Sequence, residues 1–240
     1  MTFHRAALVP ALLCLLAVNS IAQTPAVAPP AVPADVSPLY VVTYVEARPT
    51  ARDEAAALLK SYREASRSSA GNLRSVVVRS VVRPGQFVVV AAWKDKAAWD
   101  AHMAAPGTQG FREKLAALRN APADDRFHNA LSVGPMDVPQ APAGAVYVVT
   151  HIDVIPPRKD DAVAAIKVLG EASRGAGGSI RYEIVQQTNR PNHFTAFEIW
   201  RSRQAFDAQG MSAHMREFRD KLAAGMQGAL YDERLYEILD

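Results

Sequence analysis

The chain repeats itself, and the repeat limits what it can fold into. Tyr40-Val41-Val42-Thr43 recurs as Tyr147-Val148-Val149-Thr150, an offset of 107 residues. Without a gap, Glu64-Ala65-Ser66-Arg67 then matches Glu171-Ala172-Ser173-Arg174, and Arg83-Pro84 matches Arg190-Pro191. Trp93 matches Trp200, and Lys114–Ala117 matches Lys221–Ala224. From Tyr40 to Leu118, 29 of 79 aligned pairs are identical. The period is well beyond the ~20–50 residues of a solenoid unit. It marks one small domain encoded twice.

Each copy reads alike. Tyr40 to Ala47 is β-branched and apolar, which predicts a strand. Between Ala51 and Ser69, residues Ala55, Leu58, Leu59, Tyr62 and Ala65 fall on one helical face. Gly71-Asn72 stops that helix. Leu73 to Val82 and Phe87 to Trp93 are strands around an Arg83-Pro84-Gly85-Gln86 turn. Asp95, or Ser202 in the second copy, caps the next helix. That helix carries Trp99 and Met103, breaks near Pro106, and resumes with Phe111, Leu115 and Leu118. Arg126 to Val133 ends the copy as a short strand. The order β-α-β-β-α-β is ferredoxin-like, so the fold class is α+β. Phe87 to Val90 is apolar on both parities, so the sheet face away from the helices also needs cover. The sister sheet supplies it, giving a two-sheet, barrel-like core. The expected division is a leader over 1–22, an Ala/Pro-rich spacer over 23–38, a domain over 39–133, a Pro-rich linker over 134–144 and a second domain over 145–240.

His4 and Arg5, the apolar stretch Ala6 to Val18, and Ser20-Ile21-Ala22 read as a signal peptide cleaved after Ala22. The mature protein is then periplasmic or secreted. Cys14, the single cysteine, follows Leu13 rather than the small residue a lipid anchor needs. The mature chain would hold no thiol, disulfide or thiolate metal site. Basic and acidic residues number 27 and 24, with no basic run, which argues against nucleic acid or an anionic membrane as partner. No HxH or HExxH spacing occurs, so no metal is expected. No GxGxxG opens a helix after a strand, so a dinucleotide fold is not supported.

Gly178-Ser179-Ile180-Arg181-Tyr182, then Phe194 to Trp200 with Glu198, then Ala205-Phe206, His214 and Phe218, resemble the antibiotic biosynthesis monooxygenase family of the dimeric α+β barrel superfamily. The shared pattern is a Gly before strand two, a Tyr in it, Glu-x-Trp ending strand three, and a His-to-Phe stretch in the following helix. The first copy keeps Trp93, His102 and Phe111 but has Ser75 and Ala91 for the Tyr and Glu. The resemblance implies two ferredoxin-like domains packed sheet to sheet as an intramolecular dimeric α+β barrel, with higher oligomers left open. It also implies a monooxygenase that needs no cofactor and takes a small phenolic or quinol-like aromatic and O2. Haem-degrading members use an Asn on strand one, where this chain has Thr43-Tyr44 and Thr150-His151. The alternative is a non-catalytic binding or stress-related module on the same barrel.

Strand parity puts Phe194, Ala196, Glu198 and Trp200 on one face, Tyr147, Val149 and His151 on a face of their own strand, and Tyr182 with Ile184. The expectation is that Glu198, His151 and Tyr182 meet on the sheet face turned away from the helices, beside Trp200, with His214 leaning inward. That set supplies His or Glu as a base, Tyr as a hydrogen-bond donor, and aromatic walls. His151, Glu198, Tyr182 and His214 are therefore the catalytic candidates. Trp200, Tyr147, Phe194, Trp93 and His102 are the candidate substrate contacts. The first copy has Tyr44, Ser75, Ala91 and Gly107 at the four catalytic positions, which places a single working pocket in residues 145–240.

Overall fold

The structure, a computed structural model, describes residues 37–239. The expected leader and nearly all of the spacer lie outside the described residues. The first copy comprises β1 (Leu39–Glu46), α1 (Arg52–Arg67), β2 (Asn72–Ser80), β3 (Gln86–Trp93), α2 (Lys96–Ala104), α3 (Pro106–Leu118) and β4 (Asp124–Ser132). The second comprises β5 (Val146–Asp153), α4 (Lys159–Arg174), β6 (Ser179–Gln187), β7 (His193–Trp200), α5 (Arg203–Gly210), α6 (Ala213–Ala223) and β8 (Asp232–Ile238).

Local chemistry explains the boundaries. The Asp95 side chain accepts from the Ala98 N–H and starts α2, and Ser202 does the same for α5 through Ala205. Pro106 opens α3, where its missing N–H costs nothing. Gly71 and Gly178 sit at φ +79 and +84, and a Cβ on either would lie 2.5 Å from the Cβ of Ala98 or Ala205. These two turns need glycine both for the backbone and for the close approach of the following helix.

The eight strands close into a barrel in the order β1-β3-β2-β8-β5-β7-β6-β4, with all pairs antiparallel. Each copy contributes a 4-1-3-2 sheet, as a ferredoxin-like plan requires. The copies join edge to edge as well as face to face. Val78, Arg79 and Ser80 of β2 pair with Ile238, Glu237 and Tyr236 of β8, and β4 pairs with β6 from His128↔Gln187 to Ser132↔Ile184 across a bulge. Closure removes the exposed strand edges an isolated sheet would carry.

The barrel interior is apolar and drawn from both copies: Val42, Val76, Val78, Val88 and Val90 against Tyr147, Val149, Phe197, Ile199 and Tyr236. Outside the barrel, Leu59 and Leu115 press on Phe87 and Val89 in the first copy. In the second, Ile166, Leu169, Met215 and Phe218 press on Val148, Ile152 and Phe194. Fully burying a side chain such as Leu59 contributes about 1.5–3 kcal/mol.

Candidate functional site

The sheet divides the residues singled out from sequence. On the β5–β7 ladder Val148 faces Glu198, whereas His151 faces Thr195. Directly paired residues share a face and neighbours along a strand alternate, so Glu198 and His151 project from opposite sides. Tyr182, Trp200 and Phe194 join Glu198 on the helix side, against α4 and α6. His151 and Tyr147 look into the barrel, where Tyr147 packs in the central core and the His151 ring lies 5.1 Å from that of Tyr44. The expected meeting of Glu198, Tyr182 and His151 on the face away from the helices is therefore corrected. Glu198 and Tyr182 do meet, but on the helix side and without His151.

On that side of the second copy, the Trp200 Nε1–H donates to Glu198 Oε2 at 2.8 Å. Tyr182 lies directly across from Glu198 on β6, its ring edge-on to Trp200 at 6.1 Å. Glu198 is 1% exposed. Its Oε1 closes no hydrogen bond, while the Tyr182 hydroxyl is turned toward Ser173 and the Tyr231 hydroxyl toward Thr150. Burial pushes Glu198 up to about 8; the Trp200 bond opposes the rise and the Glu233 charge adds to it. Glu198 is thus mainly a neutral acid at pH 7. His214 is half-buried outside this layer and is joined to it by a relay. Its Nε2–H donates to Gln209 Oε1 at 2.9 Å, and the Gln209 amide donates to Ser173 Oγ at 2.7 Å. Ser173 stands beside Tyr182.

The first copy holds a different arrangement at the matching place. Ala91 replaces Glu198, and Trp93 Nε1 is left without a partner. His102 packs 4.7 Å from Trp93 and is 5% exposed. Its Nδ1 lies 2.9 Å from Ser69 Oγ and its Nε2 lies 3.1 Å from Tyr62 Oη. Ser69 already donates to the Ala65 carbonyl, so the network has Nδ1–H donating to Ser69 and Nε2 accepting from the Tyr62 hydroxyl. Burial lowers the His102 pKa, leaving a neutral imidazole able to take a proton. Tyr62, stacked on Phe111 at 4.0 Å, lines a pocket of about 250 Å³ between the sheet and helices α1 and α3. Thr43 Oγ1–H donates to Asp125 at 2.7 Å, and Arg112 reaches the other carboxylate oxygen at 3.2 Å. All three line the same pocket.

That trio has a counterpart in Thr150, Glu233 and Arg219, the last two 3.5 Å apart. What differs is the space. Ala123, two residues before Asp125, lines the pocket of the first copy. Tyr231 holds the matching place before Glu233, packs against the second core and lies under Arg219 at 5.5 Å. The sequence places the working pocket in residues 145–240; the structure adds a pocket in the first copy. Tyr62, Thr43, Arg112 and Asp125, which the sequence did not single out as site residues, line it, and His102 stands behind Tyr62 with Trp93 packed on its ring. The signal was hidden by an insertion: Asp125 and Glu233 match at an offset of 108, one more than the repeat.

Inside the barrel, His128 Nδ1–H donates to the Arg126 carbonyl at 3.0 Å, and its Nε2 accepts from the Thr195 hydroxyl at 3.2 Å. Burial lowers His128 and His151 to about 4, with the Arg126 charge pushing His151 the same way. Both imidazoles are neutral at pH 7. Among the described residues no group of three or more His, Cys, Asp or Glu is placed to hold a metal ion, and no helix is long and apolar enough to cross a membrane.

Comparison with known proteins follows the same division. The profile of a family described as antibiotic biosynthesis monooxygenase matches residues 38–114 and again 145–221. A Synechocystis protein, sll1783, described as uncharacterized, is 32% identical over 76 residues, 32% of this chain and 52% of that protein, so the chain spans about half of it. The Bacillus subtilis protein YcnE, whose name proposes a monooxygenase, is 32% identical over 86 residues, 36% of this chain and 90% of that one. A crystal structure from Fusobacterium nucleatum, also proposed to be a monooxygenase, superposes with TM-score 0.78 at 12% identity, covering 86% of this chain and 94% of that one. One from Lactobacillus acidophilus, proposed to be the same, gives TM-score 0.71 at 14% identity over 85% and 95%. At these identities the structural matches speak for the fold.

Proposed function

Since this chain belongs to the antibiotic biosynthesis monooxygenase family, we propose that it is an exported monooxygenase that oxidises a small phenolic or quinol-like molecule with O2, without a bound cofactor, in the pocket of the first copy. The observation that carries this reading is the Tyr62–His102 pair, a phenol on the pocket wall bonded to a neutral buried imidazole. A substrate hydroxyl set against Tyr62 Oη passes its proton to that oxygen while the Tyr62 proton moves to His102 Nε2. Burial pushes Tyr62 up to about 12, so it stays protonated and donates to the phenolate it helps to form. Arg112, held by Asp125, offers N–H donors toward that anion. The electron-rich anion gives one electron to O2, and the resulting radical pair combines as a peroxide on carbon. The peroxide loses water to leave a quinone carbonyl. One oxygen atom enters the product and the other leaves as water. The protein's part is positioning and exclusion of bulk water.

A second reading rests on the second copy. Glu198 Oε1 is buried without a partner, and an unpaired buried group costs about 1–3 kcal/mol, so the layer favours a polar guest. Oxygen uptake by the mature protein over a panel of hydroquinones separates the readings. Tyr62→Phe and His102→Ala should each lower turnover about 100-fold, the usual size for a lost proton-transfer group, with Glu198→Gln near wild type. Collapse in Glu198→Gln alone moves the chemistry to the second copy. Ligand binding without any oxygen uptake supports the non-catalytic module. Export is checked by the mass of the native protein, which should begin near Gln23.

A further inference from the structure

The duplication brings two copies of one arginine to a single carboxylate. Arg74 and Arg181 occupy equivalent positions in β2 and β6, and both bond Glu183. Arg74 does so bidentately, at 2.9 and 2.6 Å. The matching glutamate is missing from the first copy, where Val76 stands instead. Two guanidiniums therefore share one negative charge, and their side chains are only 11% and 3% exposed. Arg74 Nε–H has no acceptor. Asp137 lines a smaller neighbouring pocket beside both arginines but forms no ion pair with either. A buried cation left over in this way is costly.

Arg74 and Arg181 border a space of about 950 Å³ that is also lined by the linker from Val138 to Ala145. Its floor includes Val76, Tyr147 and Ile199, which also line the barrel, and Arg67 stands at its edge. A planar guanidinium fork matches a carboxylate or phosphate, while the floor matches an apolar body.

We propose that this basin binds an organic carboxylate with an apolar body, its anionic group completing the charge balance of Arg74 and Arg181 and its body lying on the barrel floor. The site is separate from both helix-side layers and independent of the oxygenase reading.

Calorimetric titration with 1-naphthoate, 1-naphthylmethanol and inorganic phosphate tests it. Naphthoate should bind saturably and raise the melting temperature, with the uncharged alcohol and phosphate each at least tenfold weaker. Arg74→Met leaves a neutral Arg181–Glu183 pair, so it should fold at least as stably while binding naphthoate at least tenfold more weakly. Arg67→Gln, at an exposed position, should weaken binding with at most a small drop in melting temperature from loss of its bond to the Ser75 carbonyl. Equal affinity for acid and alcohol, or unchanged affinity in both variants, overturns the proposal. Phosphate binding as tightly as naphthoate overturns the organic part of it. Loss of binding in Arg112→Gln alone would place the ligand in the helix-side pocket and overturns it as well.

Discussion

Replacing Glu198 by Gln should change how stability responds to pH more than it changes stability itself. The folded carboxyl is held up to about 8 from an ordinary value of 4.5, chiefly by burial. Below pH 4.5 it is protonated in both the folded and the unfolded chain, and no penalty arises. Between 4.5 and 8 the unfolded chain releases the proton while the fold keeps it, so wild-type stability falls with rising pH at about 1.4 kcal/mol per unit. Above 8 the full penalty applies. Glutamine keeps an acceptor for Trp200 and does not titrate. From pH 5 to 7.5 the stability of Glu198→Gln relative to wild type should therefore rise by about 3 kcal/mol. Constant offsets from the substitution cancel in that comparison, as do the titrations of His128 and His151. Urea unfolding of both proteins at pH 5, 6 and 7.5 reads the gap. A gap that stays level would mean that Glu198 is charged in the fold, and the reasoning from its burial would fail.

Three other outcomes follow from the same structure. His128 and His151 are lowered to about 4, so their contribution is complete above pH 6.5 and lost as pH falls toward 4; nuclear magnetic resonance should find both imidazoles neutral at pH 6, and a charged ring there would contradict the barrel placement. Ala123→Tyr copies Tyr231 into the first pocket and should abolish ligand binding and oxygen uptake there while the fold survives; retained activity would place the chemistry elsewhere. Residues 38–133 expressed alone would expose the apolar barrel face and the open edges of β2 and β4, so light scattering should show self-association, and a stable soluble monomer would contradict the two-seam barrel.

Much of the fold was legible because the repeat and the local signals agreed. Asp95 and Ser202 cap helices as their positions suggest, and Pro106 starts a new helix. The site was less legible for two physical reasons. Parity groups residues within one strand, but only register joins strands, and one residue of slip moves a side chain through the sheet. Glu198 sits opposite Val148, which puts His151 on the far side. Both faces of these strands are apolar, so hydrophobic pattern could not say which side met the helices. The second reason is space. More ionisable groups in the second copy suggested the working half, whereas the first copy's pocket is lined by Ala123 where the second copy has Tyr231, and neither residue carries a recognisable motif.

The linker between β4 and β5 makes assembly of the barrel a first-order event. Its two halves meet at an effective concentration in the millimolar range, set by the tether rather than by how much protein is present, so dilution cannot take the barrel apart. It also frees every position from symmetry. In a dimer of identical halves each substitution enters twice, so a buried acid on one side would force one on the other. Here Glu198 faces Ala91 across the duplication, Tyr231 faces Ala123, and one Glu183 serves two arginines. A tethered barrel can keep one half open and the other filled, a division of labour that a symmetric pair cannot encode.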